Sequence, residues 1–306
     1  MKQEFPMIIP QAGDGLRPSG VFEGVRPENL RIGRDHSVRV RLRPPWAEFF
    51  ADLPPLGASF RQIRAPGIML GQWGIYPGVG FAAEGPASGR ELLFDFAAVE
   101  SVYAFKSAAL GEECLGFEVL HHNVPLHRIV VPYGEDAGMF NRIVRTHQAR
   151  YLAYGSPEEG EAAEAPWQSG VRHRLNLLRM CPPEVFARVA PSILPVLLEM
   201  ARREGLVLRT TVYTQPVIQA AEWVPVTVER RPESVFACDP ETSLHLHPGR
   251  IAEGCLTVLN CRCCDRKRAT LEFFDDTGRL RLAITSAESA GDVTWMRILA
   301  LIEASA

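Results

Sequence analysis

Apolar and polar positions alternate along Gly116 to Val144 and again along Thr270 to Leu299, and each run closes on a short aromatic-bearing helical stretch. The first reads GFEVLHHNVPLHRIVVPYGEDAGMFNRIV and the second TLEFFDDTGRLRLAITSAESAGDVTWMRIL. A period of two sends successive side chains to opposite faces of a strand. HHN or DDTG between two such runs predicts an antiparallel hairpin. Each unit is strand, polar turn, strand, small-residue loop and helix, and the chain carries it twice. A weaker echo upstream sets YPGVGFAAEGP (Tyr76 to Pro86) beside YTQPVIQAAEWVP (Tyr213 to Pro225). Helical material precedes each unit. It is expected at Pro45 to Leu53 in the first half, and at Pro182 to Val189 and Ser192 to Gly205 in the second, where Pro183 and Gly205 serve as punctuation. The fold class that follows is α+β, a tandem repeat of two similar domains, each an antiparallel β-sheet with flanking helices.

Between the two units lies Gly155 to Pro166, GSPEEGEAAEAP, acidic and made of small residues. It can bury almost nothing and reads as a linker, giving an N-terminal repeat over 1–154, a linker over 155–166 and a C-terminal repeat over 167–306. A chain of 306 residues is long enough for two such cores. With 33 Lys and Arg against 36 Asp and Glu, net charge −3, no global field favours nucleic acid or an anionic membrane. MKQEFPMIIPQAGDG has no uninterrupted apolar run, and Pro191 and Pro195 interrupt the greasiest later stretch, Ala190 to Met200. No membrane insertion is expected. Seven cysteines without an export signal fit reduced thiols in a cytoplasm.

Several stretches could carry chemistry. GVGFAA (Gly78 to Ala83) has dinucleotide-fingerprint glycines, but EGPASG follows and gives no helix N-terminus to receive a pyrophosphate, so it reads as a strand with turn glycines. CRCC (Cys261 to Cys264) offers three thiols. They are a soft-metal or redox site, or small apolar fillers on a strand, and no second CxxC completes a zinc set. His245 and His247 of HLH share one face of a regular strand and make half of a metal site or a pair of cleft histidines. His121 and His122 fall in a hairpin turn, where exposure is the default. No GxSxG elbow, HExxH helix or Walker loop is present. VRHRLNLL (Val171 to Leu178) sets His173 between Arg172 and Arg174 at the head of an apolar-periodic stretch, which is either a basic helix start in solvent or a histidine with two guanidiniums beside it.

Assembled in order, these stretches resemble the HemS/HmuS/ChuX-like haem-utilisation family, as a distant tandem-repeat member. DPETSLHLHPGRIAEGCLTV (Asp239 to Val258) resembles the family's DPxFNLHLREDxIA segment. ATLEFFDDTGRLRLAI (Ala269 to Ile284) resembles its SLxxFDAxGxxI hairpin. LPPLGASFRQIRAPGIMLGQWGIYPGV (Leu53 to Val79) is similar to LPxLGxVxALTRNEHAVHExxGVYExV, and VPLHRIVV (Val124 to Val131) to AVHKVYL. The resemblance implies a cytoplasmic haem-binding or haem-trafficking protein of iron utilisation and transport, with haem between the two repeats and a haem donor or acceptor protein as partner. The family's VHQFxxLL histidine, axial ligand to the iron, corresponds to VRHRLNLL. The ungapped match sets Arg172 against it, and a slip of one residue sets His173 there. A neutral imidazole binds haem iron while guanidiniums pair with propionates. His173 is therefore the expected ligand, with Arg172, Arg174, His245 and His247 as propionate, distal-side or alternative iron contacts. Family positions NEHAVHE, the arginine of NLHLR and the basic loop FFGKRKPG are replaced here by Ala65 and Pro66 with their neighbours, by His247, and by ITSAESAG. The alternative is a diverged scaffold or interaction protein of the same fold that binds no haem. Haem degradation is implied by resemblance only, since no catalytic motif is seen.

Overall fold

The computed structural model of the chain describes residues 30–32, 38–53, 58–75, 80–81, 92–109, 112–121, 124–132, 137–148, 174–182, 185–260, 267–287 and 293–303. The linker Gly155 to Pro166, the CRCC run, Arg172, His173, His122 and most of Tyr76 to Pro86 lie outside them.

The first half of the sequence forms β1 (Leu30–Ile32), β2 (Val38–Arg41), α1 (Trp46–Asp52), β3 (Ala58–Ala65), β4 (Ile68–Ile75), β5 (Gly80–Phe81), β6 (Leu92–Phe94), β7 (Ser101–Ala109), β8 (Glu112–His121), β9 (Val124–Pro132) and α2 (Ala137–His147). In the second half a short helix over 174–179, α3, precedes β10 (Phe186–Val189), α4 (Leu194–Glu204), β11 (Leu208–Tyr213) and β12 (Val217–Trp223). Then come β13 (Thr227–Arg230), β14 (Val235–Cys238), β15 (Thr242–Leu246), β16 (Glu253–Asn260), β17 (Lys267–Phe274), β18 (Leu280–Ser286) and α5 (Val293–Glu303). The expected hairpin–helix units are β8–β9–α2 and β17–β18–α5. Both halves run in one strand order, β2-β7-β8-β9-β3-β4 and β10-β16-β17-β18-β11-β12. The architecture is thus the expected α+β tandem repeat, its sheets mainly antiparallel, with a two-residue parallel pair β5–β6.

Strands from opposite halves of the sequence also pair. β4 lies beside β15, with Leu70 opposite Leu244 and Met69 opposite His245, and β12 lies beside β6, with Ile218 opposite Leu93. Two compact units result: Met1–Arg61, Trp73–Val79 and Phe96–Ala162 form the first, and Gln62–Gln72, Gly80–Asp95 and Ala163–Ala306 the second.

In the first unit, Phe49 of α1 and Phe140 of α2 both meet Phe117 of β8, with ring centroids 5.2 and 5.0 Å apart, and His147 Nε2 lies 2.8 Å from Asp52 Oδ2, joining the two helices. In the second unit α4 buries Leu194, Leu197, Leu198 and Ala201, at the helical spacing that makes one apolar face. It ends where Gly205, at φ 63°, donates its N–H to Ala201 and Arg202 carbonyls, a left-handed cap that favours glycine. The DDTG turn is held by Asp275, whose Oδ1 accepts from the Thr277 N–H, the Thr277 hydroxyl and the Arg279 N–H.

Two local expectations need correction. Phe186–Val189 is an edge strand paired with β16, Phe186 opposite Thr257, and not a helix. Pro191 holds Ala190 extended at ψ 138°, and the backbone of the segment is taken up by pairing with β16. His121 ends β8 rather than sitting in the turn. Its side chain is half-buried, with Nδ1 3.9 Å from Glu100 Oε2. Among the described residues no helix is long and apolar enough to cross a membrane.

Candidate functional site

The predicted site residues that are described, Arg174, His245 and His247, fall on two surfaces of the second unit. The first begins at Arg174, the first described residue after the linker. α3 forms there because Leu175 and Leu178, one turn apart, are buried. They pack on the face of the eight-stranded sheet that carries Tyr213, Ile218, Cys255, Phe274 and Ala283. Leu177 and Met180 point the other way and are 58% and 84% exposed.

Both ends of α3 are pinned by arginines to glutamates of the sheet. Arg174 donates from Nε to Glu272 Oε2 at 2.9 Å and from Nη2 to Oε1 at 2.7 Å, the two-pronged geometry that suits a guanidinium to a carboxylate. The Thr257 hydroxyl donates to Glu272 Oε1 at 3.0 Å. Arg179 Nη2 donates to Glu253 Oε2, and Arg188 lies 3.5 Å from the other oxygen. The Glu272 side chain is only 5% exposed, so its charge has to be matched locally. Hydrogen bonding to Glu272 raises the Arg174 pKa above its ordinary value, and burial pushes the neighbouring Tyr213 hydroxyl and Cys255 thiol up. The Arg174 guanidinium is thus turned inward onto protein.

The second surface is the half-exposed face of the ribbon β4-β15-β14-β13. The opposite face is core, with Leu70, Leu244, Leu246 and Ala237 fully buried. The accessible face sets His245 between its cross-strand neighbours Met69 on β4 and Phe236 on β14. His247 follows just beyond the strand end, and the two imidazole centroids are 4.7 Å apart with rings inclined at 51°. Burial, then His247 and Arg231, lower the His245 pKa, which favours the neutral imidazole that can donate a lone pair to a metal. The end of β15 is fixed by the β3–β4 turn. The His247 N–H donates to the Gly67 carbonyl at 2.8 Å, Gly67 has φ 73°, and a Cβ there would stand 2.7 Å from Arg250 Cβ. Only glycine meets both conditions.

The structure therefore brings His245 and His247 together, while no hydrogen bond or ion pair among the described residues joins that pair to Arg174. Among the described residues no three His, Cys, Asp or Glu side chains gather to hold a metal. A pocket of about 340 Å³ in the first unit, lined by Gly138, Asn141, Arg142, Arg145 and Thr146 of α2, contains none of the predicted residues. Sequence reasoning missed Glu272, Met69 and Gly67. Glu272 had a readable signal, since a charged residue interrupts the apolar strand at the same place in TLEFF as Glu118 does in GFEVL.

Neither a protein-family model nor a curated protein sequence matches the chain. Solved structures do. Holo-PhuS, a heme-binding protein from Pseudomonas aeruginosa, superposes with TM-score 0.67 at 21% identity over 85% of each chain. ChuS, the heme degrading enzyme of Escherichia coli O157:H7, gives 0.68 at 16% identity over 86% of each chain. A second ChuS structure, described as an E. coli heme oxygenase, gives 0.66 at 15% over 86% of this chain and 88% of that one. At these identities the likeness establishes the fold, which is the fold expected from the sequence resemblance.

Proposed function

We propose that this chain binds haem as the cargo of a cytoplasmic iron-utilisation route, and that His173 ligates the iron. Three things support the reading: the motif resemblance, the fold shared with a heme-binding protein and a heme degrading enzyme, and the anchoring of Arg174. The last carries most weight. An axial ligand has to be held in place by the structure around it, and the bidentate lock of Arg174 on buried Glu272 fixes the residue to which His173 is joined. On this reading Arg174 is a positioning residue, and Arg172 is the guanidinium left to meet a propionate. His245 and His247, half-exposed and side by side, are alternative imidazoles for the iron or its distal side. Bound haem would supply an iron centre whose reactivity is set by its axial ligand and surroundings. Haem would be received from a donor protein or handed to an acceptor protein.

A second reading, a scaffold for protein interaction that binds no haem, draws on the outward Leu177 and Met180 of α3. Haemin titration of the full chain separates the two. Haem binding predicts saturation at one per chain with a sharpened, red-shifted Soret band. His173→Ala should weaken or broaden that band well beyond His121→Ala, with His245→Ala and His247→Ala run beside them. A broad, unsaturating spectrum that no variant alters would leave the scaffold reading in place.

A further inference from the structure

We infer that His245, His247 and Met69 form a binding site for a soft monovalent metal ion, copper(I) in chemical class. The inference rests on the ribbon and not on the haem reading. His245 and Met69 are directly opposite each other on antiparallel strands, so their side chains leave the same face from Cβ atoms about 4.5–5.5 Å apart. His247 lies beside His245, its ring centroid 4.7 Å away. Two metal–nitrogen bonds of about 2.0–2.1 Å need nitrogens within about 4 Å of each other, and rings at this separation meet that by small rotations. The thioether accepts from the Gln62 amide at 3.0 Å, and Arg64 Nε donates to the Gln62 carbonyl oxygen at 3.1 Å, so a metal would take the sulfur from this weak hydrogen bond by a rotamer change of Met69 toward β15.

The donor set and its charge select the metal. Two imidazoles and a thioether are soft-to-borderline donors, and thioether sulfur favours copper(I) over zinc or other divalent ions. No carboxylate belongs to the set. Glu229, on the neighbouring strand β13, is engaged by Arg231 at 3.5 Å. Arg231 acts electrostatically on His245 and Arg64 holds the Gln62 that bonds Met69, and positive charge beside the site penalises a divalent ion more than a monovalent one. The support is rigid, since the turn that holds His247 is packed against Gly67.

The test is anaerobic copper(I) titration of the full chain against a competing copper(I) chelator, in a background carrying Cys261→Ser, Cys263→Ser and Cys264→Ser so that the clustered thiols do not compete. One equivalent should bind and shift the ε-methyl NMR signal of Met69, assigned by its loss in Met69→Leu. Met69→Leu and His245→Ala should each lower copper(I) affinity by more than about tenfold, the loss typical of disturbing even a metal's outer partners. Circular dichroism of each variant shows that the fold survives. His173→Ala should leave copper(I) uptake unchanged and Met69→Leu should leave the haemin spectrum unchanged, so either proposal can fail alone. An unmoved Met69 methyl in the copper-loaded protein, uptake abolished by the serine background, or zinc bound as tightly as copper(I) would each overturn the assignment.

Discussion

Glu118 and Glu272 hold the same position in the repeated hairpin, the third residue of GFEVL and of TLEFF. Both carboxylates are buried, yet they are neutralised from different directions. In the first unit the sheet supplies the charge. Arg128, directly across on β9, donates from Nε to Glu118 Oε1 at 3.0 Å and from Nη2 to the same oxygen, and Arg39 lies 3.5 Å from Oε2. In the second unit the residue across from Glu272 is Ala283, and the charge comes from Arg174 of α3. A buried carboxylate requires a partner in either case. Where the sheet lacks one, the ion pair becomes a docking device for whatever segment brings the arginine. That difference singles out the segment after the linker as the one fixed by a buried charge.

The largest expected effect follows from it. Arg174→Ala leaves Glu272 with Thr257 alone and should cost about 3–5 kcal/mol, the range for stranding a buried charge. Arg39→Ala should cost far less, because Arg128 still holds Glu118. Urea denaturation measures both, and hydrogen exchange should show α3 opening only in the first variant. Equal costs would mean that the two glutamates are not held differently.

A second contrast concerns acid. His127, opposite Val119, is fully buried where the second unit has Leu282 opposite Phe273. Burial, reinforced by Arg61, lowers the His127 pKa from 6.5 to about 3. The unfolded chain therefore takes up a proton that the folded chain refuses, so the stability contribution is full above pH 6.5 and is lost as the pH falls toward 3. His127→Leu should flatten this acid dependence by an amount on the order of a few kcal/mol, read as denaturation midpoints at pH 7 and pH 4.5. A variant with the unchanged slope would remove His127 from the account.

The smallest expected effect sharpens the site itself. Gly67→Ala should cost about 1–3 kcal/mol through its strained positive φ and the contact with Arg250, and should move the ring resonances of His247 while leaving those of His121 in place. Unmoved His247 resonances would show that the turn does not fix the histidine pair.

What could be read in the chain was local. The hairpins follow from period-two alternation over Gly116 to Val144 and Thr270 to Leu299, and the α4 terminus follows from Gly205. Pairing between distant segments leaves no such pattern. Nothing in Ile68 to Gln72 announces β15 as its neighbour, so Met69 could not be joined to His245 before the register was known. Arg174 likewise finds Glu272 98 residues away, and only the repeat hinted at it, by placing a glutamate twice at one strand position. Phe186 to Val189 misled because so short a run carries too little periodicity to tell a strand from a helix.

On the proposed function, the segment locked by Arg174 supplies the iron ligand. Resonance Raman spectroscopy of the ferrous haem complex tests it most directly, because the iron–histidine stretching band reports the coordinate bond itself. Wild type should show that band, His245→Ala and His247→Ala should retain it, and His173→Ala should lose it. A band that survives in His173→Ala would place the ligand elsewhere, and its absence from the wild type would mean that no histidine ligates the iron.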